Sequence, residues 1–128
     1  MAVTVITPEV LTLDTRSSDL PDASGTVATT PTDGWTIDVT GYKANRVLLK
    51  FLADGTGDTV TILAGDYPPA ARQGLGNISI VLAASDVRYV VVESARVMQS
   101  DSTYAGKIRA TCVDAGTMCW AMILPADV

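Results

Sequence analysis

Apolar and polar residues alternate with a period of two over much of the chain, which is the pattern of half-buried β-strands. In the segment Arg46–Leu52 the odd positions are Val, Leu and Phe, so these side chains are expected on one face, with a mixed set on the other. No window of eleven or more residues carries the apolar stripe of an amphipathic helix. The strands predicted in this way lie near Val3–Ile6, Val10–Asp14, Trp35–Val39, Arg46–Leu52, Asp58–Leu63, Ile78–Leu82, Val87–Glu93, Gly106–Val113 and Cys119–Leu124.

Turn sequences rich in Gly, Asp and Pro separate these strands at intervals of about eight to twelve residues, the spacing of a β-sandwich or barrel. The chain has 128 residues, which fits a single domain. We therefore predict an all-β, single-domain β-sandwich with an extended N-terminal arm. Its predicted parts are the arm at 1–13, a long polar loop at 14–34 and the sandwich at 35–128.

Charge and composition exclude several classes of function. Fourteen acidic residues outnumber nine basic ones, so the chain lacks the basic surface of a nucleic-acid binder. It contains no histidine, which removes the commonest general base and the commonest zinc ligand. Its apolar runs are short, and no membrane span is predicted. We expect a protein that is not an enzyme.

The loop Asp54–Asp58 offers the best candidate for a metal site, because two carboxylates flank a Gly-rich turn. It lacks the spaced acidic positions of a calcium loop, and a turn between strands explains it fully. The Gly55-x-Gly57 and Gly74-x-Gly76 pairs do not complete a phosphate-binding motif. We predict no catalytic residue, no metal and no cofactor.

Two cysteines, Cys112 and Cys119, flank the turn sequence Asp114–Thr117. If this turn closes a hairpin at Ala115–Gly116, the two cysteines face each other at a Cα separation of ~4.5–5.5 Å, which permits a disulfide. The alternative, two buried thiols in a reducing cytosol, is the more frequent arrangement.

The aromatic residues suggest a second alternative, a stacking platform for a sugar. Against this, aromatic side chains dispersed along a chain more often cap the edges of an aliphatic core. The rings in question are Trp35, Tyr42, Tyr67, Tyr89, Tyr104 and Trp120.

The N-terminal arm alternates β-branched residues over Ala2–Ile6, is interrupted by Pro8 and resumes at Val10. Such an arm either pairs with its own sheet or adds a strand to a neighbouring chain. We predict that the arm and the loop after it carry the contacts with a partner. The candidate partner-binding residues are Val3, Val5, Ile6, Val10, Leu11, Leu20 and Trp35.

The segments LLKFLADGTGDTVTILAGDYPPA and LAASDVRYVVVESARVMQSDSTYAGKIRATC resemble small structural proteins of tailed-phage virions, in particular head decoration (cement) proteins. The resemblance implies a jelly-roll-like sandwich that binds the outer surface of a capsid and stabilises contacts between major capsid protein subunits. It also implies a homo-oligomer, with a trimer favoured, that is made in the host cytoplasm and resides on the virion.

Two alternatives to capsid decoration stay open at this point. One is a head–tail or tail component of the same kind of particle. The other is a small carbohydrate-binding module with a β-sandwich fold.

Overall fold

The computed structural model describes residues 3–21, 24–40, 46–65, 76–93, 97, 99 and 104–125. Their regular structure consists of strands, which confirms the predicted all-β sandwich. The strands are β1 (Thr4–Ile6), β2 (Glu9–Val10), β3 (Thr26–Val27), β4 (Trp35–Asp38), β5 (Arg46–Leu52), β6 (Asp58–Ile62), β7 (Ile78–Leu82), β8 (Val87–Glu93), β9 (Lys107–Thr111) and β10 (Met118–Ile123).

The strands form two sheets. The back sheet has the order β1-β4-β9-β6-β7, and the front sheet has the order β2-β10-β5-β8, with β3 also paired to β10. Strands β3 to β10 form a long antiparallel ribbon that folds back on itself between β6 and β7, so that β3 pairs with β10, β4 with β9, β5 with β8 and β6 with β7. Winding this ribbon brings β10 against β5 and β9 against β6. This is the arrangement of a jelly roll.

The core lies between the two sheets and is mainly aliphatic. The odd positions of β5 are fully buried, as the alternation predicts. Trp35 and Phe51 are the largest fully buried side chains of the described residues, and their ring centroids lie 6.0 Å apart. Burial of a large apolar side chain contributes about 1.5–3 kcal/mol, so this single interior supplies most of the driving force for folding.

The N-terminal arm pairs with its own chain. β1 runs parallel to β4 on the back sheet, and β2 runs parallel to β10 on the front sheet. The Ile6 side chain enters the core, where it is 5% exposed. Of the two arrangements considered for the arm, the structure has the intramolecular one.

The hairpin considered around Ala115–Gly116 is not formed. β9 belongs to the back sheet and β10 to the front sheet, so the turn between them carries the chain from one layer to the other. Cys119 lies opposite Phe51 of β5, and no ladder joins it to Cys112. The segment 14–34, predicted as loop throughout, contains the short strand β3, which pairs with the edge of β10.

The connections β5–β6, β7–β8 and β9–β10 lie at one end of the sandwich. There Gly116 approaches Asp54 so closely that an added Cβ would lie 2.6 Å from a carboxylate oxygen. Residues 41–45, 66–75 and most of 94–103 lie outside the described residues.

Gly34→Ala tests the packing of the β3–β4 connection against β9. Gly34 has a φ of +65° and an added Cβ would meet the Ala110 carbonyl oxygen, so we expect a loss of about 2–4 kcal/mol in the free energy of unfolding. Urea denaturation, monitored by circular dichroism, measures this loss of stability. Gly55→Ala is the matched control, because nothing lies within 4 Å of its added Cβ. Equal stability of the two variants would contradict this packing.

Candidate interaction surface

The outward side chains of β10, β5 and β8 form a surface that we call the front face. Registered pairing aligns these strands in rows, of which the central row is Trp120, Lys50 and Tyr89. The inward positions between them belong to the core. The front face consists of Leu48, Lys50, Leu52, Val87, Tyr89, Val91, Met118, Trp120 and Met122.

Among its described side chains, the front face is apolar except for Lys50. On its β8 side the side chains are open to solvent, with Val87 41%, Tyr89 61% and Val91 53% exposed. Leu48 and Leu52, on the central strand, are half-buried. A contiguous apolar surface of this kind, in contrast to scattered single residues, marks a site of interaction.

The outer face of the back sheet provides an internal comparison. Its side chains are polar apart from Val5 and Val81, as expected of a sheet that keeps one face in water. They are Val5, Thr36, Asp38, Thr59, Thr61, Ser79, Val81, Lys107, Arg109 and Thr111. The two outer faces therefore differ in chemistry, although both sheets cover the same core.

Lys50 lies between the two aromatic rings of the front face. Its ammonium nitrogen lies 4.4 Å from the centroid of the Trp120 ring and 5.9 Å from that of Tyr89. Cation–π attraction of this kind contributes about 0.5–1 kcal/mol at an exposed site. Because Lys50 covers a ring of Trp120, that ring offers no free face to a sugar.

The predicted sugar platform is not assembled among the described residues. Trp35 is buried in the core, and Tyr104 stacks on Arg109, whose guanidinium carbon lies 4.3 Å from the ring centroid. Trp120 and Tyr89 lie on the front face, and Trp120 is only 5% exposed. Tyr42 and Tyr67 lie outside the described residues.

The long loop before β3 covers the β10 side of the front sheet. The Trp120 indole donates a hydrogen bond of 3.0 Å to the Ser24 hydroxyl, and Gly25 packs against the same ring. Farther along the loop, the amide and hydroxyl of Ser18 both donate to the Glu9 carboxylate, and these bonds lower the pKa of Glu9. The loop is thus held by its own chain and leaves the β5–β8 half of the front face open.

The predicted partner-binding residues fall into two groups. Trp35 and Ile6 are buried, so they offer no surface to a partner, and we drop them from the contact set. Alternation with polar neighbours shows that Trp35 and Ile6 lie on the apolar face of their strands. It does not show whether that face packs in the core of the protein or against a partner. The others reach the surface: Val5 and Val10 are exposed, and Val3, Leu11 and Leu20 are half-buried.

The front face was not among the surfaces predicted from the sequence, although the sequence carries a signal for it. Val90–Val92 and Cys119–Ile123 are continuous apolar runs, whereas β6 and β9 alternate regularly. Continuous runs are typical of strands that are covered on both faces. In the described part of the chain, the back sheet covers the inner face of the front sheet, whereas the outer face of β8 has no such cover.

The two carboxylates of the Asp54–Asp58 loop have structural roles. Asp58 is buried and accepts hydrogen bonds from the amides of Thr59, Val113 and Asp114 and from the hydroxyl of Thr117. These bonds hold the β9–β10 turn against the start of β6. Over the described residues, no three His, Cys, Asp or Glu side chains gather closely enough to hold a metal ion.

Both cysteines are free thiols within the core. Burial, together with the nearby Asp58 carboxylate, raises the pKa of Cys112 to about 12. Burial also raises the pKa of Cys119, strongly. Because the thiolate is the nucleophile, neither residue has the character of a reactive cysteine.

Comparison with protein-family models, with curated proteins and with solved structures finds no match to this chain. In the described ranges, no helix has the length and apolar character needed to cross a membrane. The front face is therefore assigned as the candidate functional surface on its own geometry.

Asp58→Ala tests the role of the buried carboxylate. Four donors lose their acceptor, so we expect the free energy of unfolding to fall by about 2–4 kcal/mol in a urea titration. Asp54→Ala is the control, because the Asp54 carboxylate bonds only within its own exposed turn in the described structure. An equal loss in both variants would contradict the assigned role of Asp58.

Thiol titration tests the burial of the cysteines. Raised pKa values keep both thiols protonated at mildly alkaline pH, so we expect no reaction with Ellman's reagent in the folded protein and reaction of both thiols in guanidinium chloride. Rapid reaction of a folded sample would show an accessible thiolate and contradict the core position of that cysteine.

Proposed function

We propose that this protein is a non-catalytic structural protein of a phage virion. It binds the outer surface of the capsid through its front face and stabilises contacts between major capsid protein subunits. The observation that carries the proposal is the apolar outer face of β10, β5 and β8, which contrasts with the polar outer face of the back sheet. The virion role itself comes from the resemblance in sequence.

The energetics of the front face favour a large protein partner. Complete burial of a Val or Leu side chain contributes about 1.5–3 kcal/mol, and the β8 side presents together the partly exposed Val87, Tyr89 and Val91, whose cover contributes a share of this for each residue. A flat sheet face offers this energy to another surface and encloses no small molecule. On a capsid lattice, many copies bind side by side, so a modest affinity per copy suffices.

The arrangement of the chain is compatible with an architectural role. Jelly rolls occur in viral capsid and lectin domains, so the fold by itself supports both capsid decoration and carbohydrate binding. The coverage of the Trp120 ring by Lys50 favours the first. A head–tail or tail component would use the same face against a different virion protein.

Tyr89→Ala tests the proposed contact. Exposed tyrosines at the centre of an interface often contribute 2 kcal/mol or more, so we expect the dissociation constant for capsids to rise about thirtyfold. The measurement is co-sedimentation of the purified chain with capsids of the phage that encodes it. Val81→Ala is the matched control, because Val81 is 73% exposed, against 61% for Tyr89, but lies on the back sheet, so this variant should bind capsids as tightly as the unmodified chain.

Two results would contradict the proposed function. One is the absence of the chain from purified particles of that phage, examined by mass spectrometry. The other is a saccharide that binds the free chain in a glycan array and changes its Trp fluorescence, which would favour the carbohydrate-binding alternative.

A further inference from the structure

The two sides of the sandwich have different edges. On the side of the N-terminal arm, the sheets end in β1, β2 and β3, which have only two or three residues each. Very short edge strands are one of the devices that prevent pairing with another chain. On the opposite side the sheets end in β7, with five residues, and β8, with seven. Among the described residues, no strand pairs with the outer edge of β8.

The outer edge of β8 carries few of the usual obstacles to pairing, since its one described charged side chain, Arg88, lies next to the start of the strand. Its sequence VRYVVVE contains no Pro and no Lys. Its pairing with β5 runs without a bulge from Arg46–Glu93 to Leu52–Val87. A long, regular, apolar edge strand of this kind is a template for a further strand.

The direction of the backbone groups of β8 follows from one hydrogen bond. The Ala53 amide donates to the Asp86 carbonyl in continuation of the β5–β8 register. Because hydrogen-bonded and non-hydrogen-bonded pairs alternate in an antiparallel ladder, the even positions of β8 bond to β5. The amides and carbonyls of Val87, Tyr89 and Val91 therefore point to the open edge.

We propose that β8 pairs antiparallel with β8 of a second copy of this chain, about a twofold axis at Val90. This register overlaps the whole strand and places Tyr89 opposite Val91 of the other copy, an aromatic and β-branched pair of the kind that stabilises sheets. The two front faces become one continuous apolar surface.

The resulting assembly is a twofold dimer, in place of the trimer that the sequence resemblance implies. A seven-residue strand spans about 23 Å, so the contact lies below the ~1,200 Å² of standard stable interfaces. We therefore expect a concentration-dependent dimer with a dissociation constant in the micromolar range. The dimer is a property of the purified chain and does not depend on the proposed capsid role.

Val91→Pro tests the main-chain pairing. The substitution removes an amide that faces the open edge, a position where a Pro is tolerated by the monomer, so the fold should persist and the dimer should be lost. Sedimentation velocity from low micromolar to several hundred micromolar measures the dimer, and circular dichroism checks the fold. Val91→Thr is the matched control, because it keeps the amide and the β-branched shape; it should still dimerise.

Cross-linking tests the register independently of those variants. Under mild oxidation, a mixture of the Tyr89→Cys and Val91→Cys proteins should form a disulfide-linked dimer, and neither protein alone should do so at a comparable rate. The native thiols are buried and do not compete. A monomer at all concentrations, with no cross-link in the mixture, would overturn the proposal. Equal cross-linking of either protein alone would overturn the register.

Discussion

A β-strand presents its side chains to two faces, so a strand that is apolar at successive positions needs cover on both. This constraint governs the front sheet. The inner side chains of β10, β5 and β8 are covered by the back sheet, as where Trp35 of β4 packs on Phe51 of β5. Their outer side chains include Leu48, Tyr89 and Val91, and the described chain covers only the β10 side of that face. The proposed contact with a large partner follows from this incomplete cover of the front face.

The N-terminal third of the chain accounts for which part of the front sheet is covered. The arm supplies short parallel strands to one edge of each sheet, and the loop after it packs Ser24 and Gly25 on Trp120. The same side of the molecule is thereby closed to further strands. The opposite side keeps the long edge of β8 next to the most exposed part of the front face. The arm side of the molecule is thus closed to association, and the β8 side is open to it.

Local alternation was enough to predict the strands that bound the core. The predicted limits of β5, β7 and β8 agree with the structure, because each is a regular run between turn residues. The pattern could not tell which strands pair: the turn at Gly116 has the composition of a hairpin but joins two sheets. Nor could it separate Trp35, in the core, from an aromatic residue at an interface. The front face was not predicted because Leu48 and Val91 belong to continuous apolar runs. In such a run there is no alternation with polar residues to show which face is covered.

We conclude that a partner covers the β5–β8 half of the front face. A cryo-electron microscopy reconstruction of the phage particle that carries this chain tests it most directly. The account predicts that the shell contacts the front face, with Tyr89 and Val91 at the contact and the polar face of the back sheet toward solvent. A reconstruction in which the front face points to solvent and the back sheet lies on the shell would contradict it.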